Sequence, residues 1–226
     1  MKKLVILTGA GMSAESGIKP FRGSGGLWED YRVEEVASIE GWYRNPDLVQ
    51  RFYNERRQQL ENAMPNAGHT GLASLEKDFD VQIITQNVDD LHERAGSTKV
   101  LHLHGLLTQA RSSKNPGIVT DIGYRPIQAG ERAPDGSPLR PNIVWFGEAV
   151  PAMETAADLA AQADIFAVIG TSLNVYPAAG LIHYVPQGIP FFMIDPEPVT
   201  VYTSHKVEYI PKGAGEGVLI MTSKLI

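Results

Sequence analysis

Four short, mostly apolar runs, residues 4–7 (LVIL), 81–85 (VQIIT), 165–169 (IFAVI) and 191–194 (FFMI), each stop at a polar or glycine-containing loop. The loops read TGAG, TQNVD, GTSLNV and DPEP. Runs of this length and composition suit strands buried on both faces. Helical patterns lie between them, at residues 46–62, 67–77 and 152–163. Strands alternating with helices predict an α/β fold built on a doubly wound parallel sheet. Such sheets bind ligands beyond the carboxyl ends of their strands, so these four loops are expected to build one site. A single domain, 1–226, accommodates this reading. Residues 1–30, 80–107 and 141–226 form its sheet core, 31–79 a helical insertion, and 108–140 a small lobe. The lobe is rich in Gly, Pro, Ser and charge and reads as one or two short hairpins, such as APDGSPLRP.

Several function classes drop out. A hydrophobic content of 43% argues against disorder. No apolar run approaches the ~20 residues of a membrane span. The opening MKKLVILTGAGMS starts like a signal peptide, but its apolar run is short and enters a glycine-rich loop, which fits a first strand better. A cytoplasmic location is expected. The net charge of -6 leaves no electrostatic footprint for nucleic acid. With no cysteine, the chain has no disulfide, no thiolate catalysis and no Cys-based zinc site. None of its six histidines shows HExxH spacing, and no bound metal is expected.

LVILTGAGMSAESGI places Gly9, Gly11 and Ala14 in the spacing G-x-G-x-x-[GA] directly after a strand. That pattern gives a tight turn, close backbone approach to phosphate and a helix N-terminus facing an anion, with Ser13 and Ser16 as extra donors. The alternative is a plain strand–turn–helix whose glycines serve positive φ. A dehydrogenase would continue into a second strand ending in Asp or Glu. Here KPFRGSGGLWEDYRV follows and reads as a lid loop, which disfavours hydride transfer. The stretch TQNVDDLHERAGSTKVLHLHG, residues 85–105, carries more proton-exchanging and hydrogen-bonding groups than a structural connection needs.

Taken together, GAGMSAESGIKPFRG, TQNVDDLHERAG, LHLHG, RPNIVWFGE and GTSLNVYPAAG resemble the sirtuins, NAD-dependent protein-lysine deacylases, in the right order from residue 4 to about residue 198. The resemblance implies a Rossmann-like core that binds NAD. Gly9, Ala10, Gly11 and Ser13 would hold the diphosphate with Glu15 beside them, and Phe21 and Arg22 would lie in the lid. Gln86, Asn87 and Asp89 would line the nicotinamide and ribose pocket. Gly170, Thr171 and Ser172 would face the far side of the dinucleotide. Asp195 and Glu197, where the family usually has N-x-E, would meet the adenosine ribose, and Ala214 completes the cofactor set. In the implied reaction an acyl amide oxygen attacks the nicotinamide ribose as nicotinamide leaves. Asn87 and Asp89 position the reacting end and a water. His104 takes a proton from a ribose hydroxyl, a task suited to an imidazole of pKa ~6.5. Products are free lysine, nicotinamide and O-acyl-ADP-ribose. IVWFGE, 143–148, resembles the strand that pairs with an extended substrate peptide, which implicates Val144, Trp145, Phe146, Gly147 and Glu148. His102 and His104 are expected on opposite sides of a short strand, with His104, next to Gly105, in the site and His102 packed or at the surface. His92, Glu93 and Arg94 read as capping and ion-pair residues, with His92 alternatively a contact one layer behind the site, and Asp90 as an N-cap or solvent-facing group.

The chain departs from most sirtuins, which bind a structural zinc through two Cys pairs between the HG and RP motifs. Its lobe is expected to rely on hairpin bonds and on Ile118, Val119, Ile122, Tyr124 and Ile127. In RFYNERRQQL, residues 51–60, Tyr53 and Arg56 share a helix face. From the helix alone, Arg51, Arg56 and Arg57 read as solvated charges with Tyr53 half buried. The resemblance reverses this, because Y-x-x-R here looks like the subgroup that removes succinyl, malonyl and glutaryl groups. A guanidinium can grip a carboxylate through two bonds and a phenol can donate a third. Arg57 points about a quarter turn away and should not contribute. Expected partners are acylated protein lysines, with no nucleic acid, no membrane and a monomeric chain. Alternatives are a plain deacetylase, a binder of NAD or ADP-ribose without catalysis, or an ADP-ribosyltransferase on the same scaffold. His104 and Asn87 favour an enzyme over a binder, and an acyl-lysine channel would argue against a transferase.

Overall fold

A computed structural model describes residues 1–19, 31–201 and 203–226. Phe21 and Arg22, expected in a lid, lie outside these residues. In chain order the elements are β1 (Lys3–Thr8), α1 (Gly11–Ala14), α2 (Val33–Val36), α3 (Ile39–Arg44), α4 (Pro46–Asn62), α5 (Ala67–Ser74), β2 (Asp80–Thr85), α6 (Leu91–Arg94), β3 (Val100–His102), β4 (Gly105–Ser112), β5 (Val119–Asp121), β6 (Leu139–Ile143), α7 (Met153–Ala161), β7 (Ile165–Ile169), β8 (Phe191–Ile194), β9 (Val207–Ile210) and α8 (Ala214–Leu225). The main sheet runs β3-β2-β1-β7-β8-β9, with every pairing parallel. The chain starts in the middle and winds outward in both directions. The switch point therefore falls between β1 and β7, where a Rossmann-like sheet opens its ligand crevice.

The four apolar runs are the four central strands. Along β1, Leu4 and Ile6 pack on one face with Leu72, Leu75, Val218 and Met221, while Val5 and Leu7 pack on the other with Ala156, Ala160 and Leu181. Alternation sends side chains to both faces, and both faces are covered, so the strands read as unbroken apolar runs. Residues 67–79 were expected in a helical insertion. They belong instead to the sheet core, because Leu72, Leu75 and Phe79 lie in the same cluster as Val81 and Ile83. No helix among the described residues is long and apolar enough to cross a membrane.

Helix α4 starts where Asn45 accepts a hydrogen bond from Leu48 N (3.1 Å) and Pro46 occupies the first turn. Val49, Phe52, Tyr53 and Leu60 pack with Trp42, Leu91, Leu107 and Trp145. A second stripe at i, i+4, i+7 reaches the lobe's backbone. Gln50 Nε2 donates to Leu139 O (2.8 Å), Asn54 Nδ2 donates to Ile127 O (3.0 Å), and Arg57 Nε donates to Leu107 O (2.6 Å). Arg57 is wholly buried, and burial lowers its pKa to about 10. The solvated reading is wrong for that residue, which clasps the lobe to the helix.

The lobe is an antiparallel sheet, β5-β4-β6. It begins at Gly105, earlier than residue 108, because β4 pairs with β6 from Gly105↔Ile143 onward. Ala110, Ile122, Ile127, Ala133 and Leu139 form its small core. Val119 is exposed, and Tyr124 donates its hydroxyl to Asp90 (2.6 Å) outside the lobe, so these two do not hold it together. A polar clip does. Ser112 Oγ donates to Asp135 Oδ2 (2.6 Å) and meets Ser137 Oγ (2.7 Å), while Ser137 Oγ donates to Asp135 Oδ1 (2.7 Å). Lys114 N and Asn115 N both donate to Ser112 Oγ, so one buried hydroxyl joins two turns. Ser112→Ala leaves these groups without their shared partner. It should lower stability by roughly 1–3 kcal/mol in urea unfolding, whereas a chelator should leave the wild-type midpoint where it was.

Candidate active site

The loops after β1 and β7 touch closely enough that side chains would not fit. A Cβ on Gly9 would lie 2.6 Å from Thr171 Cβ, and one on Gly11 would lie 2.7 Å from Gly170 Cα. Gly170 adopts φ +64, a conformation glycine favours, and a Cβ there would strike Met12 N. Gly9 N and Gly11 N donate to Ile169 O (3.0 Å) and Gly170 O (2.9 Å). This corrects the expectation that the glycine amides face an anion freely: they lock the two loops together. Helix α1 is a single turn.

Ser13, Asn87 and Asp89 form a buried knot between the segments that follow β1 and β2. Ser13 Oγ donates to Asp89 Oδ2 (2.9 Å) and accepts from Asn87 Nδ2 (3.1 Å), which also reaches Gly9 O (3.0 Å). Leu91 N donates to Asp89 Oδ1 (3.2 Å). Burial raises the Asp89 pKa despite these bonds. Beneath the knot, Asn87 N donates to Thr85 Oγ1, which accepts from Thr8 Oγ1 (2.8 Å), and His92 Nε2 lies 3.1 Å from that Thr8 oxygen. His92 is thus a buried support rather than a surface cap. Its ring meets that of His69 at 4.8 Å, and Asn66 N donates to His69 Nδ1 (3.3 Å). Burial pulls His69 down to about 4 and His92 well below its ordinary value, so both stay neutral.

His104 Nδ1 lies 3.0 Å from Gln86 O. A carbonyl only accepts, so the proton sits on Nδ1 and Nε2 keeps its lone pair. Burial lowers the His104 pKa, against the effect of this bond. His102 is not idle as expected. Its Nδ1 reaches Asn87 O (3.2 Å) and its Nε2 reaches Glu93 Oε1 (2.7 Å). Both rings engage the loop after β2 because residues two apart along an extended chain share a face, with Leu103 between them turned into the core; the expectation of opposite sides is wrong. Asp90 accepts from Tyr124 and lies 3.6 Å from Arg94 Nη1; its side chain does not cap α6.

Tyr53, Arg56, Ala10, Ser13, Asn87 and Asp89 line one cavity. Arg56 stands over the Phe52 ring (5.2 Å), and its Nε and Nη1 are buried without a hydrogen-bond partner among the described residues. Tyr53 is buried, and its oxygen accepts from Trp145 Nε1 (3.0 Å). Gln86 Nε2 donates to Thr171 Oγ1 (3.2 Å), while Ser172 is exposed beside it. Beyond β8, Glu197 N donates to Asp195 Oδ1 (2.9 Å), and burial raises the Asp195 pKa. Two expected cofactor contacts have structural work instead. Glu15 Oε1 accepts from Gly215 N (3.1 Å) at the start of α8, and the Ala214 side chain is buried against Gly68.

The expected peptide-pairing strand stops at Ile143. Val144 N donates to His104 O, and the segment then makes one bridge, Ser38↔Phe146. Glu148 is bonded within the chain. It receives Arg111 (3.0 Å), Arg140 (2.8 Å) and Trp145 N (2.9 Å); burial opposes its charge, yet the guanidiniums hold its carboxyl below the usual range. Trp145 is buried under Arg140, whose guanidinium carbon lies 3.4 Å from its ring centroid. Phe146 and Gly147 remain exposed.

The Sir2 family pattern matches residues 9–177. The chain belongs to the Sir2 family. Among its relatives, a Bacteroides thetaiotaomicron protein named NAD-dependent protein deacylase is 56% identical over all of this chain and 99% of its own length. A Helicobacter pylori protein of the same name is 50% identical over all of this chain and 98% of its own. Among solved structures, a Sir2 homologue bound to ADP-ribose superposes with TM-score 0.89 at 38% identity, covering 99% of this chain and 93% of that one. A Sir2 homolog–NAD complex gives 0.85 at 38% identity, covering 100% and 91%.

In this Sir2 protein the neutral pair His69 and His92 sets a pH dependence. Their folded pKa values lie below the ordinary ~6.5, so the unfolded chain takes up protons that the folded one refuses. Stability should fall as pH drops below ~6.5, by at most ~1.4 kcal/mol per pH unit for each histidine. Urea midpoints between pH 7.5 and 5 should fall in the wild type and fall less steeply in His69→Asn; parallel slopes would contradict this.

Proposed function

We propose that this chain is an NAD-dependent protein-lysine deacylase that prefers succinyl, malonyl or glutaryl lysine over acetyl lysine. The unpartnered Arg56 guanidinium carries the acyl preference, because it shares a cavity with Tyr53, Asn87 and Asp89. Leaving a buried guanidinium without acceptors is unfavourable. Asp89, the carboxylate in that cavity, is already bonded to Ser13 and Leu91 N. A carboxylate arriving on the substrate would give Arg56 what the chain withholds.

The residues present fit NAD. Glycine-on-glycine packing leaves the crevice at the switch point walled by backbone, with Ser13, Asn87 and Asp89 at one end and Asp195 at the other. Bound there, NAD would supply the electrophilic sugar carbon to which the acyl oxygen transfers. Asn87 is held rigidly by Gly9 O, Ser13 and Thr85, so its amide is oriented before substrate arrives. The Asp89 carboxylate lies where positive charge would develop, a favourable placement. His104 offers Nε2 as the base, with Gln86 O fixing the tautomer. A peptide would lie along the exposed Phe146 and Gly147.

In Arg56→Met, kcat/KM on a succinyl-lysine peptide should fall roughly 10- to 100-fold more than on its acetyl counterpart, the worth of one or two charge-assisted bonds. Equal losses, or a wild type that favours acetyl, would return the plain deacetylase. His104→Ala should cut turnover ~10²–10⁴-fold while NAD binding persists. His102→Ala should cost less, because other bonds still hold the loop. The acidic limb of kcat/KM should lie below the ordinary imidazole value of ~6.5; a limb above it, or equal losses in the two histidine variants, would remove His104 from the role of base.

A further inference from the structure

We infer that Trp145 is a positioning residue for acyl selection: its indole N–H occupies the Tyr53 oxygen and so turns the Tyr53 hydroxyl proton toward the cavity, making Tyr53 a donor to an acidic acyl group. This rests on the acyl preference proposed above and adds a residue that does not touch the acyl group. An indole N–H can only donate. Its 3.0 Å bond to Tyr53 Oη therefore makes that oxygen the acceptor. Conjugation keeps a phenolic O–H near the ring plane, at one of two positions. With an N–H at one, the proton takes the other. Among the described residues no acceptor bonds to that O–H, while Tyr53 lines the cavity that holds the unpartnered Arg56 and Trp145 does not. Burial also pushes the Tyr53 pKa up, so the phenol keeps its proton.

The indole is itself held in place. Arg140 lies over its face at 3.4 Å, the Trp42 ring centroid is 5.4 Å away, and Trp145 N donates to Glu148 Oε2, which also receives Arg140. The ion pair, the indole and the phenol form one sequence of contacts from lobe to cavity. A phenylalanine at position 145 would preserve much of the packing and lose only the donor. A free Tyr53 hydroxyl could then present its lone pair to the incoming carboxylate.

The test compares Trp145→Phe, Tyr53→Phe and the double variant on succinyl- and acetyl-lysine versions of one peptide. Trp145→Phe should lower the succinyl-to-acetyl ratio of kcat/KM about tenfold, the lower end of one charge-assisted bond, chiefly by raising KM for the succinyl peptide. In the Tyr53→Phe background the same change should do nothing further to the ratio. An NMR readout needs no substrate: the indole ¹⁵N–¹H resonance that disappears in Trp145→Phe should move in Tyr53→Phe. The inference is overturned if Trp145→Phe lowers both activities by one factor, if its effect on the ratio persists without the Tyr53 hydroxyl, or if the indole resonance ignores Tyr53→Phe. If Arg56→Met leaves the ratio at its wild-type value, the acyl preference itself falls and takes this inference with it. If Arg56→Met and Tyr53→Phe lower the ratio and Trp145→Phe does not, only the role of Trp145 falls.

Discussion

A single buried hydroxyl, that of Ser13, joins the loops after β1 and β2. It donates to Asp89 and accepts from Asn87, whose amide returns to Gly9 O. Much else follows from that knot. It fixes the Asp89 carboxylate in a buried place, where burial raises its pKa. It holds the loop whose carbonyls, at Gln86 and Asn87, anchor His104 and His102. Below it, Thr8, Thr85 and His92 continue the bonding into the core. Networks of this kind are strong when every member is satisfied and costly when one is lost.

Helix α4 divides its surface among three tasks. One stripe enters the apolar cluster with Trp42 and Leu107. Gln50, Asn54 and Arg57 grip the lobe's backbone. Tyr53 and Arg56 turn to the cavity. The adjacent arginines differ in burial and in bonding: Arg57 is wholly buried and donates to Leu107 O and Asn54 with Nη2 left over, while half-buried Arg56 lines the cavity and its Nε and Nη1 find no partner among the described residues.

What could be read from the sequence follows burial. The four central strands are covered on both faces and announce themselves as apolar runs, whereas β9 is exposed at Glu208 and Tyr209 and β3 is only half-buried, so both escape that test. Helix α8 opens with Gly215 and Gly217, poor helix formers that hide it. The glycines are there because side chains would strike Glu15 and Ile194. Family resemblance singled out Asn87, Asp89, His104, Tyr53 and Arg56, and all but His104 line one cavity. Their supports were not legible. Ser112, Asp135 and Ser137 look like ordinary turn residues, and Glu148 looks like a binding residue until Arg111 and Arg140 are seen on it. His102 and His104 are two apart, so alternation puts both on the side of the loop after β2, and the expectation of opposite sides misjudged the period.

The central claim is that Arg56 Nε and Nη1, without a partner among the described residues, are partnered by the acyl carboxylate of the substrate. A crystal structure with a succinyl-lysine peptide tests it most directly. The account predicts the succinyl carboxylate within ~3 Å of the Arg56 guanidinium nitrogens and of Tyr53 Oη, with Trp145 still donating to that oxygen. A carboxylate bound elsewhere, or an Arg56 turned out of the cavity, would contradict it.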